Sequence, residues 1–116
     1  MKSIAFYSTD FNMCVSLLMY LQNRYNITAT TDLEVLKNII HTSEFDLVIL
    51  DAEPSAKIEN FCREIKSEIK IPVILTYVYK NQLKDFDLNI RKYVNTIFYK
   101  PFDLNEVSMK LSALVA

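Results

Sequence analysis

The chain has 116 residues, with 13 basic and 14 acidic side chains and no glycine. Phosphate-binding loops, dinucleotide fingerprints and the G-x-S-x-G nucleophile elbow all depend on glycine, so the composition excludes these sites. The net charge of -1 gives no bulk attraction to nucleic acid or to an anionic membrane surface. The length and a hydrophobic content of 51% predict one globular domain spanning residues 1–116.

The first half of the chain alternates short apolar runs with segments of helical periodicity. Ile4–Tyr7 predicts a strand, and a helix follows it from about Asp10. Ile27–Thr30 predicts a weaker strand, and the next helix opens with capping-box spacing at Thr31–Glu34. Phe45–Leu50 is almost continuously apolar, which is typical of a strand buried on both faces.

The second half of the chain continues this alternation. A third helix opens near Ser55, and Pro72–Thr76 predicts another buried strand. Thr96–Tyr99 predicts the last strand, and Asp103–Glu106 has capping-box spacing before the last helix. The fourth helix is weakly amphipathic, and its apolar positions are Leu83, Phe86 and Ile90.

Five strands alternating with five helices predict an α/β fold of the doubly wound kind. In this class, a parallel sheet is covered by helices on both faces. Ligands of such sheets bind in the crevice outside the carboxyl ends of the strands. Polar residues at the strand ends are therefore the first candidates for a functional site.

Four polar side chains are predicted at that edge. Asp10 follows the first strand, Asp51 follows the third, Thr76 ends the fourth and Lys100 follows the fifth. Neighbouring carboxylates favour a hard divalent cation such as magnesium, and a lysine can neutralise a phosphoryl oxygen. Together these groups suit a carboxylate nucleophile that accepts a phosphoryl group, with Asp51 as the acceptor.

Three segments carry a resemblance to a known family. Phe45–Asp51, Ile71–Thr76 and Tyr99–Asp103 resemble the receiver domain of two-component response regulators, and the similarity extends over the whole chain. The most specific parts are the strand that ends at Asp51 and the Lys-Pro-Phe motif that begins at Lys100. The resemblance implies a flavodoxin-like (βα)5 fold with a five-stranded parallel sheet in the order 2-1-3-4-5.

The resemblance also implies a function and a set of site residues. Asp51 would accept a phosphoryl group from a histidine kinase or a phosphotransfer protein, and Thr76 and Lys100 would contact that group. Magnesium would be held by Asp10, by the Asp51 side chain and by the backbone of Glu53. The domain would not be an enzyme. It would signal to a downstream protein or an output domain, or form a homodimer, through the face of helix 4, strand 5 and helix 5.

The segment after the first strand departs from the family pattern. The family has two adjacent carboxylates there, whereas this chain reads Ser8-Thr9-Asp10. Aligning the strand places Ser8 and Thr9 on the acidic pair, and aligning the first helix places Thr9 and Asp10 there. The helix alignment has the cleaner apolar stripe, which favours Asp10 as a surviving metal ligand. We expect magnesium binding to be weakened or lost.

The switch positions depart from the family as well. Counted from Pro72, the switch hydroxyl falls on Tyr77, and Thr76 matches only if the strand lacks one residue. The aromatic switch three residues before the family lysine is Ile97 here. These departures support an alternative, a phosphorylation-independent pseudo-receiver that acts as a protein-interaction module. A flavin-binding or hydrolytic protein is disfavoured because the first loop lacks glycine.

The remaining polar and thiol groups suggest ordinary roles. Cys14 and Cys62 lie in apolar helical surroundings, which predicts buried free thiols in a reducing compartment. The sequence shows no signal region and no apolar span of membrane length, so we expect a cytoplasmic protein without membrane contact. His41 is interpreted as a cation at a helix C-terminus rather than as a ligand or base.

Overall fold

In the computed structural model, which describes residues 1–115, five strands form one parallel sheet. The strands are β1 (Ser3–Ser8), β2 (Asn26–Thr30), β3 (Leu47–Asp51), β4 (Val73–Tyr77) and β5 (Thr96–Tyr99). Their order across the sheet is β2-β1-β3-β4-β5, and every neighbouring pair is parallel. This confirms the predicted flavodoxin-like class and strand order.

Five α-helices connect the strands and complete the doubly wound fold. They are α1 (Phe11–Leu21), α2 (Leu33–Thr42), α3 (Ala56–Glu64), α4 (Lys84–Ile90) and α5 (Leu104–Val115). A π-helical segment, Ile65–Ile69, continues α3, and a 3₁₀ turn, Asn81–Leu83, leads into α4. In the part of the chain that the structure describes, no helix has both the length and the apolar character needed to cross a membrane.

The sheet separates two hydrophobic cores, because successive strand residues face opposite sides. Val48 and Leu50 belong to the core beneath α2, α3 and α4. Leu47 and Ile49 belong to the core beneath α1 and α5. Full burial of each such side chain stabilises the fold by about 1.5–3 kcal/mol. Both faces of β3 are therefore buried, as its continuous apolar character predicts.

Polar side chains cap the first three helices, and at α2 the cap differs from the prediction. Asp32, rather than Thr31, is the N-cap of α2, and its Oδ1 accepts hydrogen bonds from the amides of Glu34 and Val35. A carboxylate that accepts from two free amides and also favours the positive end of the helix makes a strong cap at this position. Helix α3 begins at Ala56, next to the predicted opening near Ser55, and Ser55 is its N-cap: its Oγ accepts a hydrogen bond from the Ile58 amide.

The end of the π-helical segment contains an unusual backbone conformation for a chain without glycine. Lys70 has φ 63° and ψ 39°, and it is the only residue with positive φ among residues 1–115. Its amide donates to the Ile65 carbonyl at 2.7 Å, which closes the wide turn. The left-handed region costs a residue with a Cβ atom about 1–2 kcal/mol, and helices usually place glycine there.

Of the three apolar positions predicted for α4, Ile90 is buried and Leu83 packs against the same core, whereas Phe86 does not. Phe86, assigned to the apolar stripe, is 40% exposed, and the buried residues of α4 are Asp87 and Ile90. The reason is polar: the hydroxyls of Tyr77 and Tyr99 donate hydrogen bonds to the Asp87 carboxylate. These hydrogen bonds hold the side chain of Asp87 against the sheet, and the side chain of Phe86 is left partly exposed to solvent.

Candidate functional site

The register of the sheet brings three polar side chains together at the carboxyl ends of β1, β3 and β4. Ser8 pairs with Asp51 across the β1–β3 ladder, and Asp51 pairs with Thr76 across the β3–β4 ladder. Residues at paired positions project to the same side of a sheet as direct neighbours. Asp51 is thus flanked by a hydroxyl on each side, and it is only 7% exposed.

Both neighbouring hydroxyls donate hydrogen bonds to the Asp51 carboxylate. Ser8 Oγ lies 2.6 Å from Asp51 Oδ2, and Thr76 Oγ1 lies 2.7 Å from Asp51 Oδ1. Hydroxyl-to-carboxylate bonds of this length are charge-assisted and stronger than bonds between neutral groups. Each oxygen of Asp51 therefore has a short hydrogen bond from the chain itself.

Lys100 supplies a positive charge to the same carboxylate. Its Nζ lies 2.9 Å from Asp51 Oδ1 and 3.2 Å from Oδ2. The backbone of Lys100 is fixed beside β4, because its amide donates to the Tyr77 carbonyl at 2.8 Å. The structure thus brings together Asp51, Thr76 and Lys100, the three residues predicted to carry the chemistry.

A solvent-open cleft of about 200 Å³ lies over this carboxylate, and Asp10 and Glu53 form part of its wall. Asp10 is the N-cap of α1, and its Oδ1 accepts from the amides of Asn12 and Met13 at 3.0 and 3.3 Å. The Glu53 carboxylate forms an exposed ion pair with Lys80 at 2.9 Å. Both acidic side chains therefore have other partners near the cleft.

Ser8 is the site residue that the sequence analysis did not select. The two open alignments placed either Ser8 and Thr9 or Thr9 and Asp10 on the family's acidic pair. In the structure, Ser8 contacts Asp51, and its Oγ also accepts a hydrogen bond from the Asp10 amide at 3.0 Å. The sequence does indicate this position for Ser8, because it immediately follows the apolar residues of β1 and so lies at the carboxyl end of that strand.

The side chains in direct contact with Asp51 form a poor donor set for magnesium, although Asp10 lines the same cleft. Magnesium binds in octahedral geometry and favours carboxylate oxygens. Here Ser8 offers a neutral hydroxyl where an acid would be needed, and Lys100 already balances the charge of Asp51.

A second polar network adjoins the site, because Tyr77 directly follows Thr76 in β4. The Asp87 carboxylate accepts hydrogen bonds from Tyr77, from Tyr99 at 2.9 Å and from Arg91 Nε at 2.8 Å. Burial alone would raise the pKa of Asp87. The three donated hydrogen bonds outweigh burial, so the pKa of the Asp87 carboxyl lies below its ordinary value.

The two tyrosine hydroxyls of this network show the opposite effect. Burial raises the pKa of Tyr77 well above its ordinary value, and the hydrogen bond to Asp87 adds to that increase. The pKa of Tyr99 is raised by the same two causes. Both hydroxyls therefore stay protonated and act as donors to a charged carboxylate. The network connects β4 and β5 to α4 beside the Asp51 cleft.

Solved structures of known proteins resemble this chain closely in fold. The N-terminal domain of the nisin resistance regulator NsrR, a lantibiotic response regulator, has a TM-score of 0.84 at 20% identity, covering 100% of this chain and 99% of that one. A response regulator from Thermotoga maritima has a TM-score of 0.85 at 17% identity, covering 99% and 98%.

A third structure comes from a family of streptococcal redox sensors described as evolved from two-component response regulators. Its TM-score is 0.83 at 13% identity, covering 99% of this chain and 51% of that one. No protein-family model and no curated protein sequence matches the chain. The fold is that of response regulator receiver domains, with a carboxylate, two hydroxyls and an ammonium at the edge of the sheet where such folds place their sites.

Proposed function

We propose that this chain is a non-enzymatic signalling module with the receiver fold, which binds a partner protein without phosphorylation of Asp51. One observation carries the proposal: both oxygens of Asp51 are engaged by groups of the chain itself. Ser8, Thr76 and Lys100 together satisfy and neutralise the carboxylate. In the resting protein, contacts within the chain therefore occupy the hydrogen-bonding positions of Asp51 that face Ser8, Thr76 and Lys100.

Phosphorylation would have to break these contacts. A phosphoryl group on Oδ1 would displace Thr76 Oγ1, now 2.7 Å away, and a group on Oδ2 would displace Ser8 Oγ, now 2.6 Å away. Each displacement leaves a buried hydroxyl without its partner, which costs about 1–3 kcal/mol. A carboxylate that accepts two short hydrogen bonds and an ion pair is also a weaker nucleophile than a free one.

The charge balance of the centre supports the same conclusion. Phosphoryl transfer depends on cations that stabilise the charge on the transferred oxygens. At this carboxylate the chain offers Lys100, and the groups in contact with Asp51 include no second acid to help hold magnesium.

We propose that the partner binds the face formed by α4, β5 and α5. Exposed large apolar side chains lie just after β4, in α4 and in β5: Tyr79, Leu88 and Tyr99. Tyr79, Leu88, Arg91 and Tyr99 line a groove of about 510 Å³. Aromatic residues and arginine are enriched in protein interfaces, so the chemistry favours a protein over nucleic acid, and a second copy of the chain is one such partner.

A second candidate function is phosphotransfer to Asp51 from a histidine kinase or phosphotransfer protein. The observation in its favour is the convergence of Asp51, Thr76 and Lys100 at the floor of an open cleft. In this alternative, the hydroxyl of Thr76 and the ammonium of Lys100 would move from the carboxylate to the phosphoryl oxygens. The two candidates predict opposite results in one experiment.

That experiment is incubation with a small phosphodonor and magnesium, followed by intact-mass measurement. We expect no phosphoryl adduct on the wild-type chain. Ser8→Asp restores an acid beside Asp51 and should gain an adduct, whereas the matched variant Ser16→Asp adds the same charge at an exposed position of α1 and should not. A wild-type adduct that disappears in Asp51→Asn would establish the second candidate instead.

The interaction face is tested separately in the cell of origin. Leu88→Arg places a charge in the centre of the exposed face and should abolish the signalling output. Asp51→Asn, which keeps the shape of the side chain, should retain the output. Loss of output in Asp51→Asn together with full output in Leu88→Arg would contradict the proposal. Both variant proteins are first compared with the wild type by circular dichroism to establish that they are folded.

A further inference from the structure

Three metal-ligating side chains meet at the edge of the sheet opposite Asp51. His41 lies in the last turn of α2, Glu64 ends α3, and Glu68 belongs to the π-helical segment that follows. Helices of a doubly wound fold run antiparallel to the strands, so their C-termini lie at the amino edge of the sheet. This cluster is therefore separate from the candidate site around Asp51.

The shortest distance within the cluster matches the separation of two ligands of one metal ion. His41 Nε2 lies 3.3 Å from Glu64 Oε1 and 3.9 Å from Glu68 Oε2, and one ligand atom from each of the three residues lies within 4.8 Å of the others. Nitrogen and oxygen ligands of tetrahedral zinc lie about 2.0–2.1 Å from the ion, and therefore about 3.4 Å from one another. The cluster needs little adjustment to hold such an ion.

The imidazole of His41 is oriented by a contact outside the cluster. Its Nδ1 lies 2.6 Å from the Lys37 carbonyl oxygen. A carbonyl only accepts, so Nδ1 carries the proton and donates it, and the other ring nitrogen faces Glu64 and Glu68. In metal sites a ligating histidine usually donates its second nitrogen to a carbonyl or carboxylate in this way.

The contacts of Nε2 are those of a ligand rather than of a good ion pair. A charge-assisted hydrogen bond between imidazolium and carboxylate has a length of about 2.7–2.9 Å. Both observed distances are longer, and within residues 1–115 Nε2 makes no hydrogen bond of acceptable geometry. An imidazole that binds a metal through Nε2 is neutral, so the bound ligand set would carry a charge of about -2 from its two carboxylates, which a divalent cation would neutralise.

We propose that His41, Glu64 and Glu68 form a zinc-binding site that joins α2 to the end of α3. The imidazole selects a transition metal over magnesium, which favours oxygen ligands only. Three protein ligands leave the fourth tetrahedral position to water. The sequence alone suggested a helix-terminal cation at His41, because the two glutamates meet it only through the packing of α2 against α3.

The test is calorimetric titration of the chelator-treated full chain with zinc chloride. We expect one zinc ion per chain. His41→Ala and Glu68→Gln should each lower the affinity at least about tenfold, since even the loss of a residue that only orients a ligand costs about 10–100-fold. Glu44→Gln, which removes the same charge from an exposed position just after α2, should bind zinc as the wild type does.

Cobalt reports the ligand type in a second measurement. The cobalt-loaded chain should show ligand-field bands of a nitrogen and oxygen site and no thiolate charge-transfer band. All three side chains are substantially exposed, so the variants should stay folded, which circular dichroism checks. No zinc uptake by the wild type, unchanged affinity in His41→Ala, equal loss in Glu44→Gln, or a thiolate band would each overturn the proposal.

Discussion

At Asp51, one carboxylate faces one ammonium and two hydroxyls, with no second acid in contact. Ser8 and Thr76 fill the hydrogen-bonding positions, and Lys100 balances the charge. A lone, neutralised carboxylate stabilises its surroundings, whereas adjacent carboxylates repel one another and destabilise them. Asp51 should therefore contribute to the stability of this fold.

We expect Asp51→Ala to lower the free energy of unfolding by about 1–3 kcal/mol, because Ser8 and Thr76 would lose their acceptor and Lys100 its charge partner. The upper value is limited because Lys100 is partly exposed to solvent, which screens the ion pair. Urea denaturation at neutral pH measures the change. Glu53→Ala, which removes an exposed ion pair with Lys80, serves as the control and should cost at most about 1 kcal/mol. Unchanged or higher stability in Asp51→Ala would contradict the account.

Asp87 should make the stability depend on acid. Its pKa is lower in the folded than in the unfolded chain, so its contribution is fully present above an unfolded value of about 3.9 and is lost as the pH falls through the folded pKa. We expect the stability difference between wild type and Asp87→Asn to be constant near neutral pH and to shrink below about pH 4. Asp85→Asn, at an exposed position of the same helix, is the matched control in the same urea denaturation series.

Residue-scale prediction from the sequence succeeds where topology alone determines the position. Asp51, Thr76 and Lys100 each follow from strand ends, because parallel strands bring their carboxyl ends to one edge. Asp87 could not be found this way, since its burial depends on hydroxyls from β4 and β5 that lie far from it in sequence. Helical periodicity counts apolar residues, and so it selected Phe86.

At the scale of elements, the exit from α3 shows how this chain turns without glycine. The helix widens into the π-helical segment and ends on Lys70 in the left-handed conformation. The amide of Lys70 keeps its hydrogen bond to Ile65, so only the conformational cost of the Cβ atom is left uncompensated. That cost is removable by one substitution.

Lys70→Gly should raise the free energy of unfolding by about 1 kcal/mol, because glycine adopts positive φ without a steric penalty. Lys57→Gly, at an exposed position inside α3, is the matched control and should lower it by about 1 kcal/mol. Thermal and urea denaturation of both variants measure the difference. A loss of stability in Lys70→Gly similar to that in the control would show that the left-handed conformation carries no strain.

Strand prediction was accurate to within about two residues because both faces of the central strands are buried. β3 begins at Leu47 rather than Phe45 and includes Asp51, and β4 extends by one residue to Tyr77. Helix starts depend on single hydrogen bonds, which periodicity does not report. Asp32 rather than Thr31 therefore caps α2, a difference that only the geometry of the carboxylate reveals.

At the scale of the whole molecule, the two cores hide both thiols, one on each side of the sheet. Cys62, a buried residue of α3, lies in one core, and burial raises the pKa of its thiol to about 12. Cys14 lies in the core beneath α1, and burial raises its pKa as well. The thiolate is the reactive form, so both side chains should be inert in the folded state.

Native protein should react with a thiol reagent only as fast as it opens, and both thiols should react at once in denaturant. The measurement is the absorbance change with Ellman's reagent, with Cys14→Ala and Cys62→Ala used to assign each thiol. Rapid reaction of either thiol in the absence of denaturant would contradict its burial. The rate in native buffer would then report local opening of the helix that covers it.

The overall fold was predictable because the alternation of strands and helices along the chain restricts how these elements can be arranged. Buried strands, helical stripes and the rule of right-handed crossovers leave few arrangements for five β–α units. The strand order, which came from the resemblance to receiver domains, is confirmed. The cluster of His41, Glu64 and Glu68 depends on how two helices pack, and it was not predictable from either helix alone.

The internal neutralisation of Asp51 has a consequence for the duration of a signal. An acyl phosphate hydrolyses with time, so a receiver that depends on one loses its signal at the rate of that hydrolysis. An unphosphorylated Asp51 carboxylate, held by Ser8, Thr76 and Lys100, has no phosphoryl group to lose by hydrolysis. Under the proposed function, the strength of the signal follows from the number of copies of the chain and from the affinity of the partner. Synthesis and degradation of the protein would then set its timing.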